Sequence, residues 1–111
     1  MEWPTNHLLC RSALVLSLIA CQLTGLPPAA SAQEQAIEAG QKVYDANCAP
    51  CHGENLVNPG SAFDLKELRA NERARFDKSV LDGKGQMPPW RGVLSEAELD
   101  QLWAYIRANA E

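Results

Sequence analysis

Histidine and methionine are among the scarcest residues of this chain, with two of each in 111 positions. Met1 and His7 stand at the extreme N-terminus, so the body of the protein has only His52 and Met87. A basic excess is also missing. The formal net charge is −4, which does not advertise nucleic-acid binding. No glycine-rich loop is built to cradle phosphate, no nucleophile, histidine and acid suggest a triad, and no carboxylate pair sits in an apolar pocket. Hydrolytic and group-transfer chemistry are therefore poorly served. No stretch alternates convincingly as a strand, and the length allows one domain.

The longest apolar run, Ala13 to Leu26, is diluted by Ser17, Cys21, Gln22, Thr24 and Gly25. It is too short and too interrupted to cross a bilayer. Arg11 precedes it, Pro27 and Pro28 end it, and Ala30-Ser31-Ala32 is a small-residue cleavage site, which together describe a secretory signal peptide over residues 1–32. A second arrangement stays open. Leu18-Ile19-Ala20-Cys21 also has the form of a lipobox, in which Cys21 would carry lipid and Leu23 to Ala32 would be a tether. Membrane association is expected only in that case; otherwise the protein is expected to be periplasmic and soluble.

Removal of residues 1–32 leaves 79, a domain of 33–111 that can bury little apolar surface and calls for a staple. The candidate staple is encoded at Cys48-Ala49-Pro50-Cys51-His52. Two thiols at that spacing can add to the two vinyl groups on one edge of a porphyrin, and the next residue can bring its imidazole to the iron. A structural zinc site would need four ligands, and the other two cysteines, Cys10 and Cys21, belong to the leader. A thioredoxin-like pair would need a strand and helix context that the sequence does not offer.

Around this motif the chain reads as all-α. Ala36, Gly40, Val43, Tyr44 and Asn47 recur at helical spacing, predicting a helix from Gln33 to Asn47 that runs into Cys48. Gly40 lies mid-helix at a cost of about 1 kcal/mol against alanine, so something is expected to pack against its backbone. Glu54 to Ala62 reads as a loop, and Phe63 to Ala70 as a helical turn carrying Phe63, Leu65 and Leu68. Asn71 is the expected N-cap of a helix from Glu72 to Asp82, with Phe76 and Val80 inward and Gly83 at its end. In the last helix Ser95 and Glu98 form a capping box, Leu94 is placed to staple onto Leu99, and Leu99, Leu102, Trp103 and Ile106 define the buried face.

With one histidine in the body of the chain, a bis-histidine iron is excluded within one molecule. The sixth ligand is then Met87, a weaker donor such as water or a lysine, or nothing. A single methionine is often core filler, but Met87 stands in a loop fixed by Gly85, Pro88 and Pro89, which suits an aimed side chain. Ligation by His52 and Met87 would fill both axial positions and raise the reduction potential, favouring electron transfer over oxygen or peroxide chemistry. The alternative is a haem enzyme or gas sensor with an open sixth position.

These residues together resemble the class I c-type cytochromes of the short bacterial kind. Gly40, Tyr44 and Cys48 are spaced as in that family's first helix, Leu102-Trp103-Ala104-Tyr105-Ile106 is similar to its last, and Met87-Pro88 matches its axial-ligand loop. The resemblance implies a small cytochrome c fold, three to four helices around one haem c held by Cys48 and Cys51, with His52 and Met87 on the iron and the first and last helices crossing at the glycine. It also implies that the carbonyl of Pro59 orients the His52 ring, that the protein is not an enzyme, and that it is a monomer. Phe63-Asp64-Leu65, Arg75-Phe76 to Ser79-Val80 and Gly83-Lys84 through Trp90 resemble monohaem cytochromes paired with quinoprotein alcohol dehydrogenases. That likeness implies electrons accepted from a dehydrogenase carrying pyrroloquinoline quinone and passed towards a terminal oxidase.

Charge is unevenly divided. From Gln33 to Phe63 one lysine faces four acids, and from Gly92 to Glu111 one arginine faces four acids; Asp64 to Arg91 has seven basic residues against five acidic. Lys66, Lys78, Lys84 and Arg91 are accordingly expected to ring the Met87 side and steer an acidic redox partner.

Overall fold

A computed structural model describes residues 29–110, and among these the regular elements are all helical. They are α1 (Ala29–Asn47), α2 (Ala49–His52), α3 (Arg73–Asp82) and α4 (Glu96–Asn109), with single 3-10 turns at Glu54–Leu56, Leu65–Glu67 and Ala70–Glu72. The leader expected over 1–32 lies outside the described residues except for its last four, which form the start of α1. That helix begins at Ala29 rather than Gln33; the run Ala29-Ala30-Ser31-Ala32 is rich in the best helix former and continues the turn without a break.

The frame is the crossing of α1 and α4. A β-carbon built on Gly40 would lie 1.9 Å from the carbonyl oxygen of Gln101 and 2.9 Å from Cβ of Tyr105. No other residue allows two helix backbones to approach so closely, which accounts for a glycine in mid-helix. One turn along, Tyr44 packs on Tyr105 with ring centroids 5.4 Å apart. Both tyrosines are buried, and such tilted aromatic pairs add to the area they bury.

The core is small. Phe76 and Val80 of α3 point into it as expected, alongside Leu99, Leu102, Tyr105 and Ile106 of α4, with Leu56 and Leu68 supplied by the connections. Trp103 departs from expectation. It is half-buried, with its ring against Phe76 at 5.1 Å and the guanidinium groups of Arg73 and Arg107 at 5.8 and 6.0 Å. Tyr105 takes the inward place because it must face Gly40.

The capping box of α4 forms as read. The Glu98 carboxylate accepts from the Ser95 N–H at 2.8 Å, and Ser95 Oγ accepts from the Glu98 N–H at 3.2 Å. The start of α3 differs. Asn71 lies inside the 3-10 turn, and the helix begins at Arg73 after Glu72, whose carboxylate accepts from the Arg69 N–H at 2.9 Å and from Arg75 at 2.7 Å. A longer carboxylate that satisfies a backbone donor and an arginine outcompetes the asparagine. The turn expected over Phe63–Ala70 is confined to Leu65–Glu67, capped by the Asp64 side chain on the Lys66 N–H at 3.0 Å, and it leaves Phe63 exposed.

Candidate cofactor site

Helix α1 delivers Cys48, and the chain turns at once into the short α2 carrying Cys51 and His52. The Cys48 carbonyl accepts from the N–H groups of Cys51 and His52 at 3.1 and 2.9 Å, which keeps the three functional side chains in one tight coil. Both thiols are free. Cys51 is exposed and Cys48 half-buried; burial, then the neighbouring Cys51, pushes the Cys48 thiol up to about 11, so it stands protonated at neutral pH. Among the described residues no group of three His, Cys, Asp or Glu side chains could hold a metal ion.

The coil is locked from below. Tyr44 Oη donates to the Gly53 carbonyl at 2.6 Å, and burial keeps that phenol protonated, with its pKa pushed up to about 12. A β-carbon on Gly53 would meet the Val57 carbonyl oxygen at 1.8 Å, so only glycine lets the loop fold back after His52. That return takes Asn55 and Leu56 through left-handed backbone, with φ of 54° and 60°. Leu56 tolerates this cost because its side chain is buried in the core.

The carbonyl within reach of the His52 ring is that of Phe63, 3.3 Å from Nδ1. This corrects the expectation for Pro59, which is exposed. An Asx turn in which the Gly60 N–H donates to Asn58 Oδ1 at 2.9 Å bends the short loop, and the chain comes back to the imidazole four residues later than Pro59. A carbonyl on Nδ1 holds the ring with Nε2 available to a metal, the usual support for a histidine ligand.

Met87 is presented by a locked turn. Lys84 and Met87 exchange two backbone hydrogen bonds at 3.1 and 3.0 Å. The following residues are tied to the end of α3: the N–H of Trp90 donates to the Val80 carbonyl at 2.9 Å, and that of Arg91 to the Leu81 carbonyl at 3.2 Å. Carbonyls that a helix end leaves unpaired thus become anchors for the loop. The Met87 side chain packs half-buried against the core.

This donor set fits haem c: two free thiols two residues apart, an imidazole held by its far nitrogen, and a thioether on a fixed turn beside an apolar core. Bound, haem c supplies a one-electron couple. Cys48, Cys51, His52 and Met87 are the residues that would hold it, His52 by a ring fixed at Nδ1 and Met87 from a turn closed by Lys84.

The basic residues sort themselves less simply than the sequence suggested. Lys78 and Arg91 both pair with Asp82, at 3.5 and 2.5 Å, and Arg75 pairs with Glu72 at 2.7 Å. Among the described residues Lys66, Arg69 and Lys84 make no ion pair. Arg69 and Arg75 were not among the steering cations read from the sequence; their place shows only when the hollow they share with Phe63 and Lys66 is built.

A helical frame closed by a glycine crossing, around a C-x-x-C-H coil and a methionine turn, defines a c-type cytochrome. The family model "Cytochrome C oxidase, cbb3-type, subunit III" matches residues 35–106. Cytochrome c6 of Rippkaea orientalis is 36% identical over 96% of each chain, and cytochrome c6 of Leptolyngbya boryana is 35% identical over 66% of this chain and 92% of its own. The quinohemoprotein alcohol dehydrogenase ADH-IIG of Pseudomonas putida is 33% identical over 78% of this chain, which spans 12% of that enzyme's length. Its solved structure aligns over 78% of this chain with a TM-score of 0.63 and 28% identity. The chain belongs to the cytochrome c family, as a small class I c-type cytochrome; its cofactor is haem c, and it is an electron carrier rather than an enzyme.

Proposed function

We propose that Cys48 and Cys51 bind haem c through thioethers, that His52 and Met87 are its axial ligands, and that the protein is a periplasmic carrier of single electrons. The observation that carries the ligation is the Met87 turn, closed by its exchange of hydrogen bonds with Lys84 and tied to the last carbonyls of α3. A methionine held in this way is aimed. With both axial positions filled, the iron has no place for a gas or peroxide, and the reaction left to it is outer-sphere electron transfer. In the ferric holoprotein a sulfur-to-iron charge-transfer band is expected, and Met87→Ala should abolish it and open the reduced protein to rapid carbon monoxide binding. Rapid binding by the unaltered protein would instead support an open sixth position.

The donor we infer is an alcohol dehydrogenase carrying pyrroloquinoline quinone, with a terminal oxidase or another cytochrome downstream. Support comes from the likeness to ADH-IIG, which covers most of this chain and a small fraction of the enzyme. Export is inferred from residues 1–32, with cleavage after Ala32. The mass of the mature N-terminus checks it: a chain beginning at Gln33 agrees, and a diacylated Cys21 overturns it in favour of a membrane-anchored lipoprotein. Among the described residues no helix is long and apolar enough to cross a membrane.

A further inference from the structure

Gly83 follows the last residue of α3, at a place where helices commonly end on a left-handed glycine. Its backbone is not of that kind. With φ of 76° and ψ of 165° it lies in a region that is essentially glycine's alone, so stopping the helix does not account for it. Its surroundings do. A β-carbon built on Gly83 would stand 2.7 Å from the Met87 carbonyl oxygen, 3.0 Å from the Pro89 nitrogen and 3.1 Å from the Pro88 carbonyl carbon. All three are backbone atoms, and none is moved by turning a side chain. The α-carbon of Gly83 is the floor on which the Met87-Pro88-Pro89 path rests.

That path has little slack. The Met87 carbonyl accepts from the Lys84 N–H at 3.1 Å and the Met87 N–H donates to the Lys84 carbonyl at 3.0 Å, while the N–H groups of Trp90 and Arg91 are bound to the Val80 and Leu81 carbonyls beyond it. Pro88 and Pro89 fix two successive φ angles between these ties. A side chain at position 83 therefore forces the Met87 peptide off its seat and strains a tie on one side or the other. A binding group keeps its productive geometry only within about 0.5 Å. Gly85, in the same turn, is the contrast. Its φ is 59°, a left-handed value that asparagine tolerates, and a β-carbon there would meet nothing within 4 Å. Of the two glycines that flank Lys84, only Gly83 bears on the Met87 backbone.

We propose that Gly83 keeps the sixth position of the iron closed: by admitting the Met87 peptide against its α-carbon it seats the thioether, and so decides that the site carries electrons rather than binds small gases. The inference rests on the reading of His52 and Met87 as axial ligands. Gly83 acts through Met87 and is a positioning residue. A gas can bind only in molecules whose Met87 turn is open, so its apparent affinity and rate scale with the open fraction. A clash that exists only in the closed turn raises that fraction, whereas a side chain that meets nothing leaves it where it was.

The test reads two signals of the holoprotein: the sulfur-to-iron charge-transfer band of the ferric form, and the rate of carbon monoxide association with the reduced form. The unaltered protein should show the band and associate slowly, and Met87→Ala sets the fully open reference. Gly83→Ala should lose most of the band and associate about tenfold faster or more. Gly85→Asn should keep the band and stay within about threefold of the unaltered rate. A Gly83→Ala protein that keeps the band, even with a lower melting temperature, overturns the proposal, because the glycine then serves stability alone. So does a Gly85→Asn protein that opens as far as Gly83→Ala. Should Gly83→Ala fail to load haem, Pro89→Ala takes its place, since it frees the backbone on the other side of the same contact. Association about threefold or more faster than in Gly85→Asn then supports the proposal, and equal association overturns it. Absence of the band from the unaltered protein defeats Met87 ligation and the proposal with it; a band present there and retained in Gly83→Ala defeats the role of Gly83 alone.

Discussion

At the scale of single residues, Gly40 shows how far a cost visible in sequence can be trusted. A helix interior penalises glycine by about 1 kcal/mol, so alanine would stabilise α1 if nothing lay outside it. The Gln101 carbonyl oxygen, 1.9 Å from where a β-carbon would stand, reverses the sign. That oxygen belongs to the backbone of α4 and cannot rotate away. Moving one helix off another in a packed core costs about 1–3 kcal/mol or more, and it would also part Tyr44 from Tyr105. Gly40→Ala is therefore expected to lower the unfolding free energy of the holoprotein by about 2 kcal/mol, seen as a lower denaturant midpoint with unchanged slope. A midpoint that rises would mean the helices do not cross here. The glycine could be read without a structure because its cost was local. The Tyr44 bond to the Gly53 carbonyl could not, because nothing in the spacing says where a phenol will end.

At the scale of elements, local signals were legible and tertiary ones were not. The Ser95–Glu98 box lies within four residues and forms as read. The α3 start was misread because Asn71 has the right chemistry, while Glu72 reaches back to Arg69 and sideways to Arg75. The Met87 turn was legible as irregular, but its ties to Val80 and Leu81 join groups that no local pattern pairs. The two caps make a pH dependence. The Ser95 N–H and then its hydroxyl hold the Glu98 carboxyl below the usual carboxylate range, and the Arg69 N–H and then Arg75 do the same for Glu72. A carboxyl with a lower pKa folded than unfolded contributes stability that is complete above its unfolded value and lost as pH falls through the folded one. The melting temperature should accordingly hold from neutrality to about pH 5 and decline below about pH 4.5. Glu98→Gln should flatten part of that decline. A decline of the same steepness in the variant would place its source elsewhere.

At the scale of the whole molecule the question is which charges a partner feels. The sequence gives the stretch Asp64 to Arg91 seven basic residues against five acidic, set between two acidic stretches. The structure decides how many of the seven act at a distance. Lys78 and Arg91 share Asp82, Arg73 is held by Asp77 and Asp100 at 2.6 Å each, and Arg75 is tied to Glu72. The Asp82 trio keeps one net positive charge and the Arg73 trio one net negative, so the two groups offset each other, and Lys66, Arg69 and Lys84 are left to carry the attraction. They border two hollows that share Arg75 in their lining, one of them beside the Met87 turn. An acidic donor steered to this face should reduce the protein about tenfold more slowly once salt shortens the screening length from about 30 Å to about 3 Å. Lys84→Glu should lower the rate at low salt and flatten its salt dependence. Arg91→Gln, which also frees Asp82 to pair with Lys78 alone, should change both by less than Lys84→Glu. Stopped-flow reduction across a salt series reads all three, and a rate indifferent to salt would remove the basic face from the account of how the electron arrives.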